Sequence, residues 1–72
     1  MIDYSPFWNT IKKKKISTYY LIKTCRVSSS TLTRLRRNMP LTTVTLDDLC
    51  RFLNCEIQEI LQYVPDKQND EK

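Results

Sequence analysis

The sequence predicts an all-α fold of five short helices, and three observations carry that expectation. The chain contains no glycine, the residue that tight hairpins most often require. Its apolar residues recur at helical spacing, as in Leu46, Leu49, Cys50 and Leu53, and never in the strict alternation of a strand. Hydroxyl residues stand just ahead of several of these apolar clusters, where helix N-caps belong.

The elements follow in order. Ser5 is the expected N-cap of the first helix, with Pro6 at its first position, where a missing N–H costs nothing. Phe7, Trp8 and Ile11 give that helix one apolar face, more suited to the core than to stacking on bases, and it runs into Lys12, Lys13, Lys14 and Lys15. Ile16 reads as a loop residue folding back on the core. Ser17 caps a second helix carrying Tyr20, Leu21 and Thr24, which stops near Cys25, Arg26 and Val27. Ser28 caps a third over residues 28–37, ended by Asn38, Met39 and Pro40. Thr42 or Thr43 is the favoured cap of a fourth, although Thr45 with Asp48 also has capping-box character. A fifth short helix is expected to carry Ile57, Ile60, Leu61 and Val64 and to end at Pro65.

With 72 residues the chain makes one domain, expected over 1–65, followed by a wholly polar and disordered tail over 66–72. A chain of this size buries only about 60% of its unfolded surface, which leaves little core in which to carve a catalytic cleft. No apolar run approaches the roughly 20 residues of a membrane span, and nothing resembles a signal peptide; a cytoplasmic protein is expected. Cys25, Cys50 and Cys55 are an odd number without paired spacing, and there is no histidine. They read as small buried hydrophobes, not as disulfides or metal ligands, and no cofactor is expected. Asp47 and Asp48 are adjacent on a helix and diverge, and a cysteine nucleophile would lack its usual base, so an enzyme is not expected.

Charge is divided unevenly. Residues 1–38 hold nine Lys and Arg against Asp3 alone, a net of +8, whereas residues 39–72 hold three against seven acids, a net of −4. Such a split suits a domain that presents one end to a polyanion.

The informative stretch is residues 17–38, STYYLIKTCRVSSSTLTRLRRN. Leu21 in the first of its helices faces Leu32 and Leu35 in the second, and Val27 plugs the corner between them, which defines a helix-turn-helix. The second helix then exposes hydroxyls and arginines, groups able to hydrogen-bond base edges in a major groove.

From about Phe7 to Pro65 the chain resembles the Cro/phage-repressor type of helix-turn-helix, the XRE-like bacterial transcriptional regulators, in their small stand-alone form. The residues that carry the resemblance are Trp8, K-K-K-K-I-S at 12–17, T-Y-Y-L-I-K at 18–23, V-S-S-S-T-L-T-R-L-R-R-N at 27–38, T-L-D-D-L-C-R-F-L-N-C at 45–55 and I-L-Q-Y-V-P-D at 60–66. The resemblance implies a compact lambda-repressor-like domain and a DNA-binding repressor or autoregulator. It implies base reading by Ser29, Ser30, Thr33 and Arg34, and phosphate contact by Thr18, Arg37 and Asn38. Lys15, from the lysine run, and Tyr19, through its phenol, join the phosphate set; Arg36 ranks below Arg34 and Arg37. Where many relatives carry glycine, after the first helix and in the turn, this chain has Lys15 and Arg26, each costing roughly 1 kcal/mol if left-handed.

The expected partner is double-stranded DNA, bound by a homodimer on a palindrome, with Ile57, Leu61, Tyr63 and Val64 as the dimer surface. The alternative is a protein-binding adaptor, antirepressor-like or antitoxin-like, on the same fold.

Overall fold

The computed structural model describes residues 1–65; the polar segment 66–72, expected as a disordered tail, lies outside the described residues. Within them the chain forms four α-helices, α1 (Ser5–Lys13), α2 (Thr18–Lys23), α3 (Ser29–Arg36) and α4 (Thr43–Leu53). A 3₁₀ turn (Ile57–Glu59) and a two-stranded ribbon, β1 (Ile2–Asp3) with β2 (Gln62–Tyr63), complete it.

Three helices begin on a hydroxyl that satisfies an orphan amide. The side chain of Ser17 accepts from the Tyr20 N–H at 3.0 Å, Ser28 from Thr31 at 3.1 Å, and Thr42 from Thr45 at 3.2 Å. Each cap is worth ~1 kcal/mol. Thr42, not Thr43 or Thr45, therefore opens α4.

The first helix departs from the expected pattern. Its N-cap is Tyr4, which makes no side-chain cap, and Ser5 already lies inside the helix with its hydroxyl donating to the Asp3 carboxylate at 2.9 Å. The opening is satisfied from elsewhere: the Phe7 N–H reaches the carbonyls of Tyr4 (3.0 Å) and Ile60 (3.2 Å). Tertiary contact replaces the local cap.

With no glycine available, all four helices are followed by side-chain-bearing residues in left-handed geometry: Lys15 (φ 59°), Arg26 (φ 61°), Asn38 (φ 54°) and Asn54 (φ 52°). Three of these ends close alike, the residue after the left-handed one donating back across the last turn. The bonds run from Ile16 to Ile11 (2.8 Å), Met39 to Arg34 (2.9 Å) and Cys55 to Cys50 (3.1 Å). The helix-turn-helix corner is one residue wider, with the Val27 N–H on the Leu21 carbonyl at 2.9 Å. Asparagine tolerates this geometry; Lys15 and Arg26 each carry a cost of about 1 kcal/mol.

The expected fifth helix is shortened to the single 3₁₀ turn. Glu56 and Glu59 close it with a capping box, the Glu56 N–H donating to Oε1 of Glu59 at 2.9 Å. Beyond it the chain is drawn into the ribbon, where Ile2 pairs with Tyr63 and Asp3 with Gln62. The Asp3 carboxylate also accepts from the Gln62 amide at 2.8 Å, and the N-terminal ammonium donates to the Val64 carbonyl. These partners hold residues 62–64 extended, so no helix can continue through them.

The core is one cluster of Tyr4, Phe7, Ile11, Leu21, Val27, Leu32, Leu35, Leu49, Leu53 and Ile60. Ile16, Leu46, Cys25, Cys50 and Cys55 pack around it half-buried. Thr10, the buried polar residue, donates its hydroxyl to the Glu59 carbonyl at 2.8 Å and ties α1 to the 3₁₀ turn. No helix among the described residues is long and apolar enough to cross a membrane.

Candidate nucleic-acid interface

The α2–turn–α3 unit is set from inside. Leu21, Leu32 and Leu35 are essentially inaccessible and Val27 is buried at the corner between the helices. Burying Leu32 and Leu35 turns Ser30, Thr33, Arg34 and Arg37 away from the core and leaves Ser29 on a flank, because successive residues step about 100° around the helix axis. Ser29, Ser30, Thr33, Arg34 and Arg37 are all exposed. The structure thus brings the expected base-reading residues onto one surface.

Their polar groups are not equally committed. The Thr33 hydroxyl donates to the Ser29 carbonyl at 3.1 Å, which leaves its oxygen as an acceptor. Ser30 shares a hydrogen bond with the capping hydroxyl of Ser28 at 3.1 Å, and Thr31 shares another at 3.0 Å. Among the described residues no ion pair engages Arg34 or Arg37, whereas Arg51 is held by Asp47 and by Asp48, the latter at 3.2 Å. Neither α2 nor α3 contains an acid.

The expected phosphate residues stand at the two ends of this unit, at the approach to and first turn of α2 and at the end of α3. Lys15 is the left-handed residue before the α2 cap, and Thr18 follows that cap, half-buried at the first helical position. Tyr19 stands out at 69% exposure, with the Lys23 ammonium 5.9 Å from its ring centroid. Arg37 closes α3. Asn38 differs from the others, because its side-chain oxygen accepts from the Tyr4 N–H at 2.9 Å and is committed to the fold.

The lysine run does not act as one patch. Lys13 lines a groove with Gln58, Glu59 and Gln62, and Lys14 lies close enough to Cys55 to lower its thiol pKa against the larger effect of burial. Those two lysines lie beside residues 55–62, and Lys15 leads into α2. Sequence reasoning also missed a contact at the far end of α3. The Arg36 guanidinium sits 5.4 Å from the ring centroid of Trp8, and Phe7 meets that ring edge-on at 4.8 Å and 83°. A basic residue one heptad beyond Ser29 and an aromatic on α1 were both in view, but nothing local in the chain pairs them.

A buried helix-turn-helix corner and an acid-free hydroxyl and arginine face define a DNA-binding helix-turn-helix domain. Residues 7–66 match the Cro/C1-type HTH DNA-binding domain, and the chain belongs to that family. Among solved structures the fold is similar to that of the transcriptional regulator VanUg (Form II), with a TM-score of 0.80 and 25% identity over 90% of this chain and 87% of that one. No curated protein sequence matches the chain.

Proposed function

We propose that the protein is a sequence-specific, double-stranded DNA-binding transcriptional regulator acting as a repressor. The observation that carries this reading is the exposed face of α3, where hydroxyls and unpaired arginines stand together on a helix that contains no acid. Arg34 is suited to the O6 and N7 of guanine, and Ser29, Ser30 and Thr33 supply short hydroxyls that let the helix backbone approach the bases. Lys15, Thr18, Tyr19 and Arg37 contact phosphate and provide the salt-dependent part of the affinity. Asn38 contributes with what its amide has left after Tyr4 is served.

One such helix reads too few base pairs for useful selectivity, so two copies act on a palindrome with half-sites about 34 Å apart. Ile57, Tyr63 and Val64, which are 46%, 64% and 40% exposed, form the dimer surface together with the half-buried Leu61. The similarity to a transcriptional regulator supports the regulatory role.

Selection from a random duplex library at about 150 mM salt tests the reading. Enrichment of a palindrome is expected. Salt-sensitive retention of every sequence alike would remove the base-reading role, and binding that ignores DNA but survives high salt would replace it with a protein partner.

A further inference from the structure

We infer that Arg36 and Trp8 form a lateral phosphate clamp, in which Arg36 makes the contact and Trp8 is its positioning residue. This rests on the DNA reading above and adds a contact outside the assigned set.

The argument begins with where Arg36 stands. It lies seven residues after Ser29, so the two share a flank of α3, to one side of the outward face formed by Ser30, Arg34 and Arg37. A helix about 10–12 Å across fills a major groove about 12 Å wide, so its flanks meet the phosphate walls while its outer face meets the bases. A cation on that flank is therefore placed for backbone, not for sequence.

What distinguishes Arg36 from an ordinary surface arginine is that it is held. Its guanidinium lies on the Trp8 ring at 5.4 Å, and the ring is itself fixed by the fully buried Phe7. A cation–π contact engages no N–H in a hydrogen bond and so leaves the guanidinium donors for another acceptor. No ion pair or hydrogen bond among the described residues consumes those donors. An exposed arginine usually loses rotamer freedom when it grips a phosphate; here the indole has already restricted it. Lys12, one helical turn after Trp8 on the same side of α1, is exposed and adds a second positive charge to that side of α1.

The test compares the unaltered chain with Arg36→Met, Trp8→Phe and Trp8→Leu on one duplex across a salt series, following affinity and indole fluorescence. Arg36→Met should lower the salt slope by about one and weaken binding on the order of tenfold, on every sequence alike. Trp8→Phe keeps an aromatic face and should retain near-normal binding, whereas Trp8→Leu should lose about as much affinity as Arg36→Met. Before any DNA is added, Arg36→Met should shift the emission of Trp8, the chain's single tryptophan. An unchanged salt slope for Arg36→Met, or full affinity for Trp8→Leu, would overturn the clamp and leave the DNA reading standing. Failure of the unaltered chain to retain any duplex would overturn both.

Discussion

The backbone N–H of Tyr4 donates to the side-chain oxygen of Asn38 across 2.9 Å, so the start of α1 and the end of α3 share a polar contact. The Tyr4 hydroxyl adds a second, donating to the Met39 carbonyl at 2.9 Å, and the ring is only 3% exposed. The last turn of α3 is thus pinned by the residue that opens the chain's first helix.

Asn38→Ala removes the acceptor and keeps a left-handed backbone that alanine resists. It should destabilise the fold by about 1–3 kcal/mol in denaturant unfolding. Asn38→Gly removes the acceptor alone, and its smaller loss would separate the hydrogen bond from the backbone preference. Wild-type stability for the alanine variant would show that the contact carries no weight.

Lys15 and Arg26 are the left-handed residues least suited to that geometry. Lys15→Gly and Arg26→Gly should each stabilise the chain by roughly 0.5–1 kcal/mol, with additive midpoint shifts because the two sites belong to different helix ends. If Arg26 also attracts DNA, its glycine variant will be more stable yet bind less tightly at low salt. A fall in thermal midpoint for either variant would contradict the backbone argument.

Under the proposed function Arg34 reads bases and Arg37 holds the DNA backbone. Arg34→Ala should cost about 1–3 kcal/mol on the preferred site and relax base preference there. Arg37→Ala should weaken all sequences equally and reduce the salt slope by about one. Equal losses on every duplex for Arg34→Ala would take it out of the base-reading set.

Burial pushes the Cys55 thiol up to about 11 from an ordinary value of 9.0, with the neighbouring Cys50 and Glu59 adding to the shift. The fold therefore favours the neutral thiol. Between about pH 9 and 11 the unfolded chain gives up that proton and the folded chain keeps it, so stability falls as pH rises through this window. Cys55→Ala should show a shallower loss of thermal midpoint from pH 9 to 11 than the unaltered chain. Parallel curves would mean that the thiol does not titrate across folding.

Much of the fold was legible because its signals are local. Ser17, Ser28 and Thr42 each cap an amide three residues on, a relationship written in the spacing alone. The inward Leu32 and Leu35 likewise dictated which side chains of α3 face out. Contacts between distant residues were not legible. Ser5 has the spacing of a cap, yet the opening of α1 is satisfied by Asn38 and Ile60, far along the chain. The ribbon pairs two residues with two, too few for any alternation to register. The acceptance of Tyr4 into the core followed from Met39, and the stacking of Arg36 followed from Trp8; both depend on how helices meet. The site was therefore readable as a face, while its supports appeared only with the tertiary structure.

The ribbon between Ile2–Asp3 and Gln62–Tyr63 also has a kinetic consequence. It closes a loop that spans nearly the whole described chain, so forming it early would spend chain entropy before the helices could repay it. The helix-turn-helix, by contrast, closes through neighbours only a few residues apart, such as Val27 and Leu21. Folding should thus proceed through a nucleus of α2, α3 and α4, with the ribbon zipping shut after the barrier. Substitutions at Ile2 or Tyr63 would then leave the refolding rate almost untouched and appear as faster unfolding. Tyr4 and Asn38 lie at the base of that ribbon, so in unfolding its opening would come first, ahead of the barrier, and would loosen the end of α3.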